Sequence, residues 1–214
     1  MTEHLSKRCK IEDTNYMVFD IETTGLTKED INVNTDTNYM VLDIETTGLT
    51  KEDFIIQIAY NVYDNNMDCL TKHNYLINEN VNKTDFFNRF TVDEIIEKGL
   101  SAEVVLNQLK EDLSKCKYII GHNISFDVGM IARYYRKYNI ECVIPKSICT
   151  MISSKFKLKL KNTKGWIKNP KLSELYKFYY STDANEDTLH DASYDIDITF
   201  LCFKKLAEDR LIIL

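Results

Sequence analysis

A mixed α/β sandwich is the fold class this sequence predicts, and three observations carry the prediction. Apolar runs of strand length come first: Tyr39-Met-Val-Leu42 runs into an acidic tip and a Thr-Thr-Gly turn, and Phe54 to Tyr63 follows it. Helical periods dominate from Thr91 onward. One short apolar run, Tyr118-Ile-Ile120, is interleaved between the helices. Strands first and helices interleaved later place helices against a sheet around one core, and 214 residues suffice for one such domain.

Each element has its own signal. Cys69 to Ile77 supplies a third strand. Thr91-Val-Asp-Glu94 is a capping-box pattern, followed by Ile95 and Ile96 and stopped at Gly99. Ser101 to Lys115 places Val104, Val105, Leu109 and Leu113 on a helical period. The strand at Tyr118–Ile120 ends at Gly121-His-Asn123, and Phe126 to Tyr138 reads as a helix with basic residues toward its end. Residues 155 to 170 are Lys-rich, with Gly165, Trp166 and Pro170. They read as a loop or inserted arm, either solvated or in contact with a substrate backbone. Leu172 to Tyr180 and Ala192 to Asp209 read as two final helices.

The chain also carries a repeat. Asp13 to Asp30 recurs as Asp36 to Asp53, changed only where Phe19 becomes Leu42. Two copies are too few for a solenoid. Only the second copy leads into a continuing strand, because Ile31 to Thr37, after the first, is polar. Using copy one would lengthen the connection to the Phe54 strand by the 23-residue repeat offset. Loop closure makes that cost roughly 1 kcal/mol. The division expected is an N-terminal arm over 1–37, carrying Asp20 and Glu22 of the first copy, and a folded domain over 38–214.

Composition excludes some functions. Hydrophobic residues make up 44% and charged residues 28%, as in ordinary globular chains. The net charge of -6 argues against a broad DNA-wrapping surface, which needs basic residues. It leaves room for a protein that grips a strand end while metal ions neutralise the local phosphates. Cys9, Cys69, Cys116, Cys142, Cys149 and Cys202 are scattered, and with no leader visible they read as reduced thiols of an intracellular protein, nuclear or cytoplasmic. No apolar run approaches the ~18 residues that span a bilayer, so no membrane is expected. A dinucleotide-binding domain lacks its Gly-x-Gly-x-x-Gly.

Chemistry gathers in three places. Asp43 and Glu45 alternate by two, so both carboxylates point to one face of an extended strand. Carboxylates forced together repel, and a hard divalent cation such as Mg²⁺ or Mn²⁺ relieves the repulsion. Asp127 follows an aromatic in Gly121-His-Asn-Ile-Ser-Phe-Asp127, where it could equally be a helix cap. His190 precedes Asp195 in His190-Asp-Ala-Ser-Tyr-Asp195.

Leu-Asp-Ile-Glu-Thr-Thr-Gly-Leu, Asn-x-x-Phe-Asp and His-x4-Asp, in that order, closely resemble the DEDDh group of the DnaQ-like 3'→5' exonuclease superfamily, over roughly residues 38 to 208. The resemblance implies an RNase H-like fold, a mixed five-stranded sheet flanked by helices. It also implies a site for two Mg²⁺ or Mn²⁺ ions held by Asp43, Glu45, Asp127 and Asp195. Asp43 would bridge both ions, Glu45 and Asp195 would complete the first site, and Asp127 would hold the second. His190 would be the general base toward the attacking water, since imidazole titrates near neutrality. Thr46, Thr47 and Leu49 would hold the terminal nucleotide, with backbone amides near its sugar and Leu49 against its base. Phe126 would pack in the core.

The chain departs from many relatives at Cys149-Thr150, where an Asp-Thr pair is usual. Asp191 and Asp197 read as a helix-start charge and a solvated face, and His122 as a neighbour of the site. The implied substrate is nucleic acid with a single-stranded or frayed 3' end, DNA favoured in proofreading or repair, with a polymerase or other replication protein as a candidate partner. The alternatives are an exoribonuclease trimming RNA and a catalytically silent binding module of the same fold.

Overall fold

The computed structural model describes residues 38–50, 52–79, 90–185 and 189–212. The first repeat copy, with Asp20 and Glu22, and the expected arm over 1–37 lie outside the described residues. Five strands, β1 (Asn38–Thr46), β2 (Ile55–Tyr63), β3 (Cys69–Leu76), β4 (Cys116–Gly121) and β5 (Lys146–Cys149), form one sheet in the order β3-β2-β1-β4-β5. β1 to β3 pair antiparallel as a meander, while β1–β4 and β4–β5 are parallel. This is the mixed five-stranded sheet flanked by helices of the RNase H-like fold.

The described residues form six helices, α1 (Val92–Lys98), α2 (Ala102–Leu113), α3 (Ile124–Lys137), α4 (Thr150–Leu158), α5 (Leu172–Tyr180) and α6 (Ala192–Glu208), of which α2 and α3 pack on one face of the sheet and α5 and α6 on the other. Alternation along β1 sorts the core into two layers. Met40, Leu42 and Ile44 pack with Val105, Leu106, Leu109 and Ile131 of α2 and α3. Tyr39 and Val41 pack with Leu175 of α5 and Ile196, Phe200 and Phe203 of α6. Covered on both faces, β2 is buried at all nine positions.

The capping box at Thr91 forms, with Thr91 Oγ1 accepting from Glu94 N–H and the Glu94 carboxylate accepting from Thr91 N–H. Two local expectations need correction, and one strand was not anticipated. Val104 is 58% exposed, and Leu106 takes the core place expected of it, because the buried stripe of α2 runs through Val105, Leu106 and Leu109. Residues 155–158 are the last turn of α4, not loop; the lysines there are compatible with a helix that buries only Thr150 and Ser154. The edge strand β5 was not anticipated, being four residues long and beginning with a lysine. No disulfide joins the described cysteines, and no helix among the described residues is long and apolar enough to cross a membrane.

Candidate active site

β1 outlasts its parallel neighbour. The last pair with β4 is Val41–Ile120, whereas pairing with β2 continues to Thr46–Ile55. Asp43, Ile44 and Glu45 therefore project beyond the end of β4, at the carboxyl edge of the sheet where open α/β sheets leave a crevice. Asp43 and Glu45 share the parity of Tyr39 and Val41 and so lie on the α6 face. Gly121 ends β4 so close to β1 that a Cβ there would sit 2.9 Å from the Leu42 carbonyl oxygen.

Asp127 stands in the first turn of α3 and is 4% exposed. Its Oδ1 accepts from Ile44 N–H at 3.2 Å, on the strand residue between Asp43 and Glu45. The N-cap position of α3 is Asn123, at φ 70 and without a side-chain cap bond, so Asp127 is not the N-cap residue but lies inside the first turn. From the other layer comes Asp195, in the first turn of α6 and 9% exposed, its Oδ2 accepting from His190 N–H at 3.3 Å. His190 is exposed, with a left-handed φ of 66. Ligand atoms of Glu45, His190 and Asp195 all lie within 4.8 Å of one another.

Electrostatics tie Asp43 to the same place. Burial raises its carboxyl well above the usual carboxylate range, and the charges of Asp127, Asp195 and Glu45 raise it further. Burial likewise raises Asp127, against the lowering effect of its own N–H and that of Ile44. Four carboxylates from β1, α3 and α6, and an imidazole from the turn before α6, thus gather at one sheet edge. Proteins avoid such a concentration of acid unless a cation or a shared proton relieves it. Clustered carboxylate oxygens of this kind could hold a hard divalent cation.

The turn after β1 is built by Asp53, a residue that sequence reasoning passed over. Its carboxylate accepts from Thr47 Oγ1, Thr50 N–H and Thr50 Oγ1, and the bonds from Thr50 lower its pKa most. Gly48 permits this, since a Cβ there would lie 2.7 Å from both carboxylate oxygens. Thr47 N–H bonds to Phe54 O, and Thr47 Oγ1 also accepts from Phe54 N–H, so Thr47 is committed to the turn. Thr46 Oγ1 donates to Gly48 O. Leu49, at the tip, is 84% exposed.

Gln57 was also missed. It lies on β2 and is fully buried, with Oε1 accepting from Ala192 N–H and Nε2 donating to Asp191 Oδ1 and to Asn74 Oδ1. Asp191 caps α6 through Ser193 N–H. One side chain on the sheet thus pins the helix start that carries His190 and Asp195. A polar residue in the middle of an apolar strand was the available signal. Asp197 pairs with Lys72 and with Asn61 on the exposed side.

His122 has a structural place. Nε2 donates to Pro170 O, so Nδ1 accepts from Thr150 Oγ1, each at 3.0 Å. Burial lowers its pKa to about 4, consistent with a neutral ring. His122 thereby joins Thr150, fully buried at the start of α4, to the segment before α5. Phe126 is partly buried against the first core layer.

Comparison with known proteins finds similarity in sequence and in fold. Over 210 residues the chain is 26% identical to a PolC-type DNA polymerase III of Mycoplasma genitalium, covering 94% of this chain and 12% of the polymerase. Escherichia coli Exonuclease I in complex with a dT13 oligonucleotide superposes with a TM-score of 0.62 at 16% identity, covering 82% of this chain and 42% of that one. Its complex with dA16 gives 0.61 at 17%, with the same coverage. The chain therefore spans less than half the length of either relative. The RNase T family model, described as an exonuclease, matches residues 40–203, from β1 through Phe203 of α6, and the chain belongs to that family.

Proposed function

We propose that this exonuclease removes nucleotides from the 3' end of single-stranded or frayed DNA, with Asp43, Glu45, Asp127 and Asp195 holding two divalent cations and His190 acting as general base. The observation that carries this reading is the meeting of Glu45, His190 and Asp195 within 4.8 Å, beside Asp43 and Asp127. Two cations, when bound, supply stabilisation of the attacking and leaving oxygens of the phosphodiester. The protein's part is positional. Asp127 is fixed by Ile44 N–H and Asp195 by His190 N–H, so the carboxylates are held before any substrate arrives. His190 is exposed beside two of them, where its ring can take a proton from water attacking the terminal phosphate. Asp53 and Thr47 shape the turn that presents Leu49 to the terminal base, with Thr46 beside the sugar.

DNA is favoured because the similar proteins are a DNA polymerase and a nuclease crystallised with deoxyoligonucleotides. The polymerase relative also supports work alongside a replication protein, in proofreading or repair. The test is a 5'-labelled oligonucleotide supplied as matched DNA and RNA with Mg²⁺ or Mn²⁺. A ladder of shortened, still-labelled DNA with released mononucleotides is expected, abolished by Asp195→Ala. Faster loss of the RNA would make the enzyme an exoribonuclease. No cleavage of either by folded protein would leave a binding module.

A further inference from the structure

We propose that the arm between α4 and α5, residues 159–171, is a grip for the single-stranded nucleic acid leading into the active site, with Trp166 as its base-stacking platform. The inference rests on the exonuclease reading and adds to it where the strand runs. Residues 155–171 contain seven lysines, at 155, 157, 159, 161, 164, 168 and 171, and no acidic residue, in a chain of net charge -6. Among the described residues Lys157 pairs with Asp209 and Lys168 with Glu174. Lys159, Lys161 and Lys164 are exposed and enter no ion pair with another described residue. A concentration of positive charge on an acidic protein suits a polyanion.

The arm is built, not merely basic. Asn162 Oδ1 accepts from Lys164 N–H and Trp166 N–H, and Asn162 and Trp166 also bond through their backbones. Gly165, at φ +81, supplies the left-handed residue this turn needs. Lys168 N–H bonds to Leu160 O, closing the ladder. The result holds Trp166 at 72% exposure, with Phe156 of α4 at 69%. Large aromatic surface left in water among lysines is the combination that single-strand binding sites use: rings stack on bases while cations follow the backbone.

The arm is also rooted at the catalytic edge. Pro170 is bonded to His122, five residues before Asp127, and α4 starts at Thr150, bonded to the same histidine. Trp166 lies four residues from Pro170, at most about 14 Å along the chain. That is the length of about four stacked nucleotides.

Trp166 is the chain's only tryptophan, so its emission reports on the arm alone. The full chain is titrated in Ca²⁺ with oligo(dT) and oligo(U) of about 20 nucleotides, and with heparin. The expected results are quenching of Trp166 by both oligonucleotides and not by heparin, and, read for every variant from the anisotropy of a 5'-labelled oligonucleotide, an affinity about tenfold weaker in Trp166→Ala. Lys159→Ala, Lys161→Ala and Lys164→Ala together should flatten the salt dependence by about two logarithmic units per decade. Cleavage of a dinucleotide should be unchanged in every variant. No quenching by either oligonucleotide, equal quenching by heparin, or unchanged affinity in Trp166→Ala overturns the grip. Wild-type protein that quenches but cleaves nothing defeats the exonuclease reading and leaves the grip standing.

Discussion

Gln57 shows how a residue away from the chemistry can set it. Its Oε1 accepts from Ala192 N–H and its Nε2 donates to Asp191 Oδ1, tying the start of α6 to β2. Removing it leaves a buried N–H without its acceptor, at a cost of about 1–3 kcal/mol, and frees the helix start to shift. Gln57→Leu should therefore lower kcat by about tenfold or more, since small displacements of positioned groups cost that much, with KM changed little. Gln57→Glu keeps the acceptor for Ala192 but turns repulsive toward Asp191, so it should rescue poorly. Equal kinetics for Gln57→Leu and wild type would show that α6 is positioned by its apolar face alone.

At the scale of elements, the sheet edge decides which residues meet. β1 is formed by the second repeat copy, Asp36 to Asp53, whose strand sequence differs from the first by one residue. Near-identical strands would compete for one slot, with a bias of roughly tenfold set by loop closure. Asp43→Ala with Glu45→Ala should abolish cleavage as completely as Asp195→Ala if copy two alone is used. Residual cleavage near a tenth of wild type, lost on adding Asp20→Ala, would show that the copies exchange. The expected elements were legible where one signal dominated: Thr91 to Glu94 gave the start of α1, and the run from Leu172 gave α5. β5 was not, because four residues at a sheet edge carry no period, and its place is set by pairing with Tyr118 to Gly121.

Across the whole molecule, stability should carry the mark of His122. Its pKa falls from 6.5 to about 4 on folding, so the native state favours the neutral ring. That contribution is fully present above pH 6.5 and is lost as pH falls toward 4, where both states are protonated. It amounts to up to about 3 kcal/mol. Unfolding followed at steps from neutral to mildly acidic pH should show wild type losing stability faster than His122→Gln. Parallel curves would mean that the ring is already as solvated as in the unfolded chain. The spacing of Asp43, Glu45, Asp127, His190 and Asp195 was readable as a pattern. Asp53 and Gln57 were not, because their roles depend on which backbone amides a turn and a helix start leave open, and that is decided only when distant segments pack.

The parallel pairing of β1 with β4 joins Asn38 to Cys116, and α6 must then close over both. A chain leaving the ribosome can zip β1, β2 and β3 into a hairpin meander early, from neighbours in sequence. Asp195 arrives only with the last helix. If Asp195 is the ligand proposed above, the carboxylate set is complete only once α6 has docked on the sheet that β1 and β4 form.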